Sequence, residues 1–173
     1  IKLLLNYISF VISSSTVGIY RLRHIKFDVL FVFEPSPITV GLPAIILKNK
    51  KNKTLVFWVL DLWPDTLMAV GAFQSKLILK LVGWLVSYIY KRCDLILGQS
   101  KSFISHIRKY AGHDRVAYFP GWAESVFSVD QFKSPKSRSD KAQFNIVFAG
   151  NIGVSQDFPT VLKAMELLKD DEK

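Results

Sequence analysis

Apolar runs alternate along the chain with short segments rich in proline, glycine and charge, and this pattern predicts alternating strands and helices. Short aromatic or β-branched runs that stop at Pro, Gly or a polar residue predict strands, at 27–33, 54–60, 94–97, 116–119 and 144–149. Longer segments between them predict helices at 1–20, 38–48, 67–73, 75–92, 102–110 and 159–169. Strict alternation favours right-handed βαβ units. The sequence therefore predicts an α/β chain with a parallel sheet.

Two apolar segments carry more specific predictions about burial. The strand at 27–33 is apolar without interruption from Val29 to Phe33, which is typical of a strand buried on both faces of a parallel sheet. The charge-free segment 3–20 is the best candidate for a membrane span, but its serines, Thr16 and Gly18 dilute the apolar character that spanning requires. We expect a buried helix over 1–20.

A change of composition divides the chain. Residues 128–143 are rich in serine and charge and have little to bury, so we expect them to connect two domains, 1–127 and 144–173. The chain opens inside an apolar stretch and stops as a helix ends. We therefore expect it to be a piece of a larger protein, lacking both ends.

Composition excludes several classes of protein. Half of the 173 residues are apolar and 13% are aromatic, which excludes a disordered chain. Cys93 is the single cysteine, so an intrachain disulfide and a cysteine-rich zinc site are excluded. The three histidines do not have metal-ligand spacing; we expect no protein-bound metal, and His106 and His113 to be solvated.

Positive charge is concentrated in the first part of the chain. Residues 1–143 hold 20 Lys and Arg against 9 Asp and Glu. Several of these cations flank the aromatic, apolar helix at 75–92, a combination that suits an anionic membrane surface. A core helix with a solvated basic edge explains the pattern equally well. Nucleic acid is not expected as a partner, because the aromatic residues lie mostly in apolar strands.

Candidate chemistry follows the predicted strands, since ligands of parallel sheets bind at the carboxyl ends of the strands. In the turn Gly150-Asn151-Ile152-Gly153, two glycines allow backbone N–H groups to approach an anion, and a helix begins shortly after it. This arrangement suits a diphosphate. The alternative is a tight turn that needs positive φ.

Two carboxylates follow predicted strands directly. Asp61 either orients or deprotonates an acceptor hydroxyl or caps the short helix that follows it. Glu34 has the same functional interpretation, with a charged strand end at the solvent edge as its alternative. Asp65 is expected to cap the helix from Leu67 onward.

Four stretches together resemble bacterial family 4 glycosyltransferases of the GT-B fold, in the surface-polysaccharide branch that includes fucosamine-transferase-like enzymes. They are Glu34-Pro-Ser-Pro-Ile-Thr-Val-Gly-Leu-Pro-Ala, Asp61-Leu-Trp-Pro-Asp-Thr, Tyr118-Phe-Pro-Gly-Trp-Ala-Glu and Phe148-Ala-Gly-Asn-Ile-Gly. The resemblance implies two Rossmann-like domains that face each other across a cleft. Residues 1–127 would be most of the acceptor domain, and 144–173 the first βα unit of the donor domain.

The resemblance also implies roles for single residues. Asp61 would be the catalytic residue, Glu34 and Trp63 would lie on the acceptor side of the cleft, and Gly150, Asn151 and Gly153 would contact the donor diphosphate. Two positions depart from the family. Leu60 stands where many relatives have His, and residues 154–157 lack the cation that commonly binds the phosphates.

By this resemblance the protein is a retaining, metal-independent enzyme that needs no cofactor beyond its nucleoside diphosphate sugar donor. The acceptor is a glycan, carried on a lipid, in envelope or capsular polysaccharide biosynthesis. We expect a cytoplasmic protein, peripheral at the inner face of the plasma membrane. The fragment itself is expected to be inactive, because the family's early glycine loop and its donor-binding Glu pair lie outside it. Two alternatives stay open: a sugar-nucleotide 2-epimerase of the same architecture, and a noncatalytic module that binds membrane or ligand.

Overall fold

The computed structural model describes residues 2–69, 75–122, 146–153 and 156–169. The chain divides into two compact units, Ile1–Gly121 and Trp122–Lys173, and each is treated by itself. The elements are α1 (Lys2–Ser13), a π-helical turn (Ser14–Gly18), α2 (Ile19–Leu22), β1 (Val29–Glu34), a 3₁₀ turn (Ile38–Val40), α3 (Gly41–Lys51), β2 (Thr54–Val59), α4 (Asp65–Ala69), α5 (Lys76–Tyr90), β3 (Leu95–Gly98), α6 (Lys101–Ala111), β4 (Val116–Tyr118) and α7 (Phe158–Leu167).

The first unit is built on a four-stranded sheet in which every strand is parallel to its neighbours. The strand order is β1-β2-β3-β4, and the register pairs Val29 with Thr54 and Glu34 with Val59. The predicted α/β class and the Rossmann-like parallel sheet are confirmed. All four strands predicted before residue 120 are present, within one or two residues of their predicted bounds.

The core lies on one face of this sheet. Leu55, Phe57 and Val59 alternate along β2 and are fully buried, and they cluster with residues of α3, α5 and α6, including Ile45, Ile89 and Ile107. The strands follow one another in sequence order, and right-handed crossovers between them place every connecting helix on the same side. The three crossover helices therefore form a single layer.

The other face of β1 carries no helix layer among the described residues. Val29, Phe31 and Phe33 are each about half exposed, although Trp58 contacts both phenylalanine rings. The prediction that 27–33 is buried on both faces is wrong. Its apolar pattern is typical of a strand covered on both faces. In the described part of the sheet, β1 is the edge strand, and the helices that connect the strands cover only one face.

The helix predicted over 1–20 is present, interrupted by the π-helical turn, but the prediction that it is buried is wrong. Leu4, Leu5 and Ile12 are about 60% exposed, and Ile19 is the residue of this segment that reaches the core. In the described part of the chain this segment packs against α3 and the 3₁₀ turn, so its other sides remain exposed.

None of the helices in the described ranges has the length and apolar character needed to cross a bilayer.

The second unit is described over two short segments. Helix α7 lies where a helix is predicted at 159–169. The strand predicted at 144–149 is wrong over 146–149, which have no regular structure. A strand needs a hydrogen-bonded neighbour, and the described part of this unit contains none and buries none of its residues. The connection predicted at 128–143 lies outside the described residues, so the domain boundaries stay a prediction.

Candidate active site

Glu34 and Asp61 meet at the carboxyl edge of the sheet. Glu34 is the last residue of β1, and its carbonyl accepts a hydrogen bond from the Leu60 N–H at 3.0 Å. Asp61 is the next residue after Leu60, so the loop that leaves β2 passes directly over the end of β1. The two carboxyls are close enough for the Asp61 charge to act on Glu34.

The Glu34 side chain is fully buried, so its interpretation as a charged strand end in solvent is wrong. Neither carboxyl oxygen has a hydrogen-bond partner. Burial raises the pKa of Glu34 from 4.5 to about 9, and the negative charge of Asp61 adds to the shift, against an opposing effect of the Asp61 and Leu60 N–H groups. At neutral pH Glu34 is therefore a protonated acid that can donate a hydrogen bond.

Other polar atoms near this edge are also buried without a partner. They include the Tyr90 hydroxyl, the Thr39 hydroxyl and the Trp63 indole N–H. Burial raises the pKa of Tyr90 well above its ordinary value, and the charge of Glu34 contributes next. Each buried polar group without a hydrogen-bond partner lowers the stability of the fold by about 1–3 kcal/mol. This part of the fold therefore contains donors and acceptors whose hydrogen bonds the protein itself does not supply.

Asp61 itself is partly exposed and accepts a hydrogen bond from the Thr66 hydroxyl in α4. This contact ties the loop to α4 through a side chain, whereas a helix N-cap accepts from a backbone N–H. One Asp61 oxygen is thus held while the side chain remains accessible. The geometry favours a positioned carboxylate over a simple cap.

Gln99 fixes the loop from the neighbouring strand. Its side-chain amide donates to the Leu60 carbonyl at 2.7 Å, and its backbone N–H donates to the Val59 carbonyl at 3.3 Å. Gln99 lies two residues after the strand predicted at 94–97. A polar residue just beyond a strand end is the sequence feature that could have identified it. No sequence feature could have identified Tyr90, because it lies within an apolar helix.

Trp63, predicted on the acceptor side, is half-buried and packs against the core. It follows Asp61 by two residues in the loop after β2. The structure places Glu34 and Asp61 near each other at the carboxyl ends of the strands, and the shared ligand site predicted for these two residues and Trp63 stays a prediction.

The expectation that His106 and His113 are solvated is confirmed for His106 only. The His106 side chain is 53% exposed, and its Nδ1 lies 3.1 Å from the carboxylate of Asp65, which is 37% exposed. His113 is half-buried, and its Nε2 lies 3.3 Å from the Tyr90 carbonyl. Asp65 stands in the first turn of α4, close to the capping position predicted for it. Within the described ranges, no group of three or more His, Cys, Asp or Glu could hold a metal ion.

The glycine turn belongs to the second unit, where Gly150, Asn151 and Gly153 are exposed. Neither glycine has positive φ, so the alternative of a turn that requires positive φ is wrong. A Cβ on Gly150 would lie 3.1 Å from the Phe148 ring. The helix that follows begins at Asp157, whose carboxylate accepts a hydrogen bond from the Thr160 hydroxyl at 2.7 Å. An anion at that helix end would meet this negative charge.

A scan against protein-family models, a search of curated proteins and a search of solved structures each find no match to the chain.

Proposed function

We propose that this chain is part of a retaining, metal-independent glycosyltransferase of the family 4, GT-B type. It would transfer a sugar from a nucleoside diphosphate sugar to a lipid-linked glycan during envelope or capsular polysaccharide assembly. The observation that carries the proposal is the pairing of accessible Asp61 with buried, protonated Glu34 at the carboxyl edge of a parallel sheet, where such sheets bind ligands.

The pair suits an acceptor hydroxyl. A carboxylate orients a hydroxyl by accepting its proton in a hydrogen bond, and Asp61 is held for this by Thr66. Glu34 keeps its proton because it is buried beside that charge, so it adds no second negative charge to the site. Trp63 would contact the acceptor beside them.

The donor side of the proposal uses the second unit. Gly150, Asn151 and Gly153 are exposed and present backbone N–H groups without bulky side chains, which suits a diphosphate. Because Asp157 stands at the start of α7, the phosphates would bind to the glycine turn and not to the helix end.

Support for a membrane-bound acceptor comes from the first half of α5. Leu77, Leu81 and Trp84 recur at helical spacing and are 60–68% exposed, and Lys76 and Lys80 beside them are exposed as well. The second half of the same helix supplies core residues. We infer that the amino-terminal half of α5 docks on an anionic bilayer, which would place the protein at the inner face of the plasma membrane.

The proposed catalytic role is tested by Asp61→Asn in the full-length gene product. Release of nucleoside diphosphate is measured over a panel of donors, with and without membrane extract. We expect transfer to fall by about 10²–10⁴, the range of a lost acid–base group, while donor affinity is retained. Asp65→Asn, in the first turn of α4, is the matched control and should keep activity. Full transfer by Asp61→Asn would contradict the proposal.

A sugar-nucleotide 2-epimerase is the second candidate, because a protonated Glu34 beside Asp61 is also an acid–base pair. The same assay separates the two functions. An epimerase would convert the donor into its 2-epimer without needing acceptor and would stay in solution when vesicles are added.

A further inference from the structure

A second polar site lies at the opposite end of the strands, where their amino ends are. A pocket of about 470 Å³ opens between the π-helical turn, α2 and the last turn of α3. Arg23 precedes β1, and Lys50 and Lys51 precede β2, so these pocket residues lie at the amino ends of the strands. Glu34 and Asp61 lie at the carboxyl ends.

The charge around this pocket is all of one sign. Arg23, Lys50 and Lys51 line it together with apolar and hydroxyl-bearing residues, and no acidic residue does. Among the described residues none of the three cations forms an ion pair. An uncompensated group of cations around a concave surface attracts anions.

Arg23 is held in place for such a role. Its guanidinium stacks over the Tyr20 ring at 3.6 Å and donates to the Tyr20 carbonyl at 2.9 Å. The Lys51 ammonium donates to the Arg23 carbonyl. A cation that is already positioned loses less conformational entropy when it binds an anion.

Ser15 supplies an independent observation. Ser15 is one of the residues that line the pocket, and its hydroxyl is buried without a hydrogen-bond partner. It stands in the π-helical turn, a geometry that is often found at functional sites. The helix dipole favours the lysines in the last turn of α3 and also Arg23 at the C-cap of α2, but it does not explain the unused Ser15 hydroxyl.

We propose that this pocket binds a phosphate group, with Arg23 and Lys50 as charged donors and Ser15 as a neutral one. Cations and hydroxyls of this kind are the usual partners of phosphate oxygens. The phosphate would belong either to a small soluble ligand or to the headgroup of an anionic lipid, and the apolar floor at Ile19 and Leu47 is compatible with both. This inference does not depend on the proposed transferase activity.

The test compares the full chain with Arg23→Gln/Lys50→Gln and with Ser15→Ala. Pyrophosphate binding is measured by titration calorimetry, and vesicle binding by sedimentation with phosphatidylcholine, with and without phosphatidylglycerol. We expect the double variant to lose about tenfold in affinity, or about 1.4 kcal/mol. Ser15→Ala, which leaves the net charge unchanged, should lose about threefold.

The matched control is Arg108→Gln/Lys109→Gln on α6, which removes the same two charges elsewhere and should bind like the parent chain. Losses with pyrophosphate support a soluble phosphate ligand, and losses confined to phosphatidylglycerol vesicles support a lipid headgroup. The proposal is overturned if the control loses as much as the pocket variant, if Ser15→Ala has no effect on either probe, or if the parent chain binds neither. Melting temperatures of all variants confirm that each one folds.

Discussion

Replacing Glu34 by Gln should change how the stability of the protein depends on pH. Glu34 is fully buried with neither carboxyl oxygen bonded, and its pKa rises on folding from 4.5 to about 9. Between those values the folded protein keeps a proton that the unfolded chain releases. Stability must therefore fall as the pH rises through this window. Gln has nearly the same shape and no proton to lose.

The size of the effect follows from the linkage relation. A single proton held only by the folded state changes the free energy of unfolding by about 1.4 kcal/mol per pH unit. From pH 5 to pH 8 this one carboxyl should cost about 4 kcal/mol, a large part of a typical total stability of about 5–15 kcal/mol. The variant should be similar to the parent at pH 5 and clearly more stable at pH 8.

Urea unfolding at several pH values, followed by circular dichroism, measures this difference. The quantity to compare is the slope of the parent minus the slope of the variant, because contributions common to both proteins cancel in this difference. Asp114→Asn is the control, because that side chain is 98% exposed and its loss should leave the slope unchanged. Equal slopes for the parent and Glu34→Gln would refute both the burial argument and the protonated state of Glu34.

Two further predictions concern packing and membrane contact. A Cβ on Gly41 would lie 2.5 Å from Ile89 Cγ2, so Gly41→Ala should lower the free energy of unfolding in urea by about 1–3 kcal/mol. Gly121→Ala is the control, because a Cβ there would have no atom within 4 Å. Identical unfolding midpoints for the two variants would contradict this packing. Trp84 is 67% exposed on α5, and Trp84→Ser should weaken sedimentation with phosphatidylglycerol vesicles about tenfold. Leu167→Ser, at an apolar position on α7 that is even more exposed (85%), should have no effect, and equal losses in the two variants would contradict docking through α5.

The strands and helices of the first unit were predictable from two local features, the alternation of apolar runs with polar segments and the Pro, Gly or polar residues at which strands stop. Both features depend only on residues that are close in the sequence. Burial was not predictable in the same way. The apolar pattern of 27–33 is compatible with one or two covered faces, and the strand order decides between them. The run at 144–149 has strand propensity, but 146–149 have no described neighbour to pair with. Burial and pairing are properties of the whole sheet.

The candidate site was predictable to the same extent. The rule that ligands bind at carboxyl ends placed Glu34 and Asp61 together, and the structure does bring them together. The role of Gln99, the unpaired Tyr90 hydroxyl and the cation pocket around Arg23 were not predictable, because each depends on residues that are distant in the sequence. The contact between Asp65 and His106, which joins α4 to α6, was not predictable either, because these two residues are also distant in the sequence.

Glu34 is the position where the local pattern and the fold disagree most. Leu30 and Val32 point to the same face of β1, and a period of two predicts a third apolar side chain at position 34. An apolar residue there would avoid both the desolvation of a carboxyl and two unpaired oxygens. The fold instead retains a carboxyl beside Asp61, at the sheet edge where ligands bind. Proteins retain such a cost mainly at functional sites, so this position agrees with the role that we propose for Asp61 and Glu34.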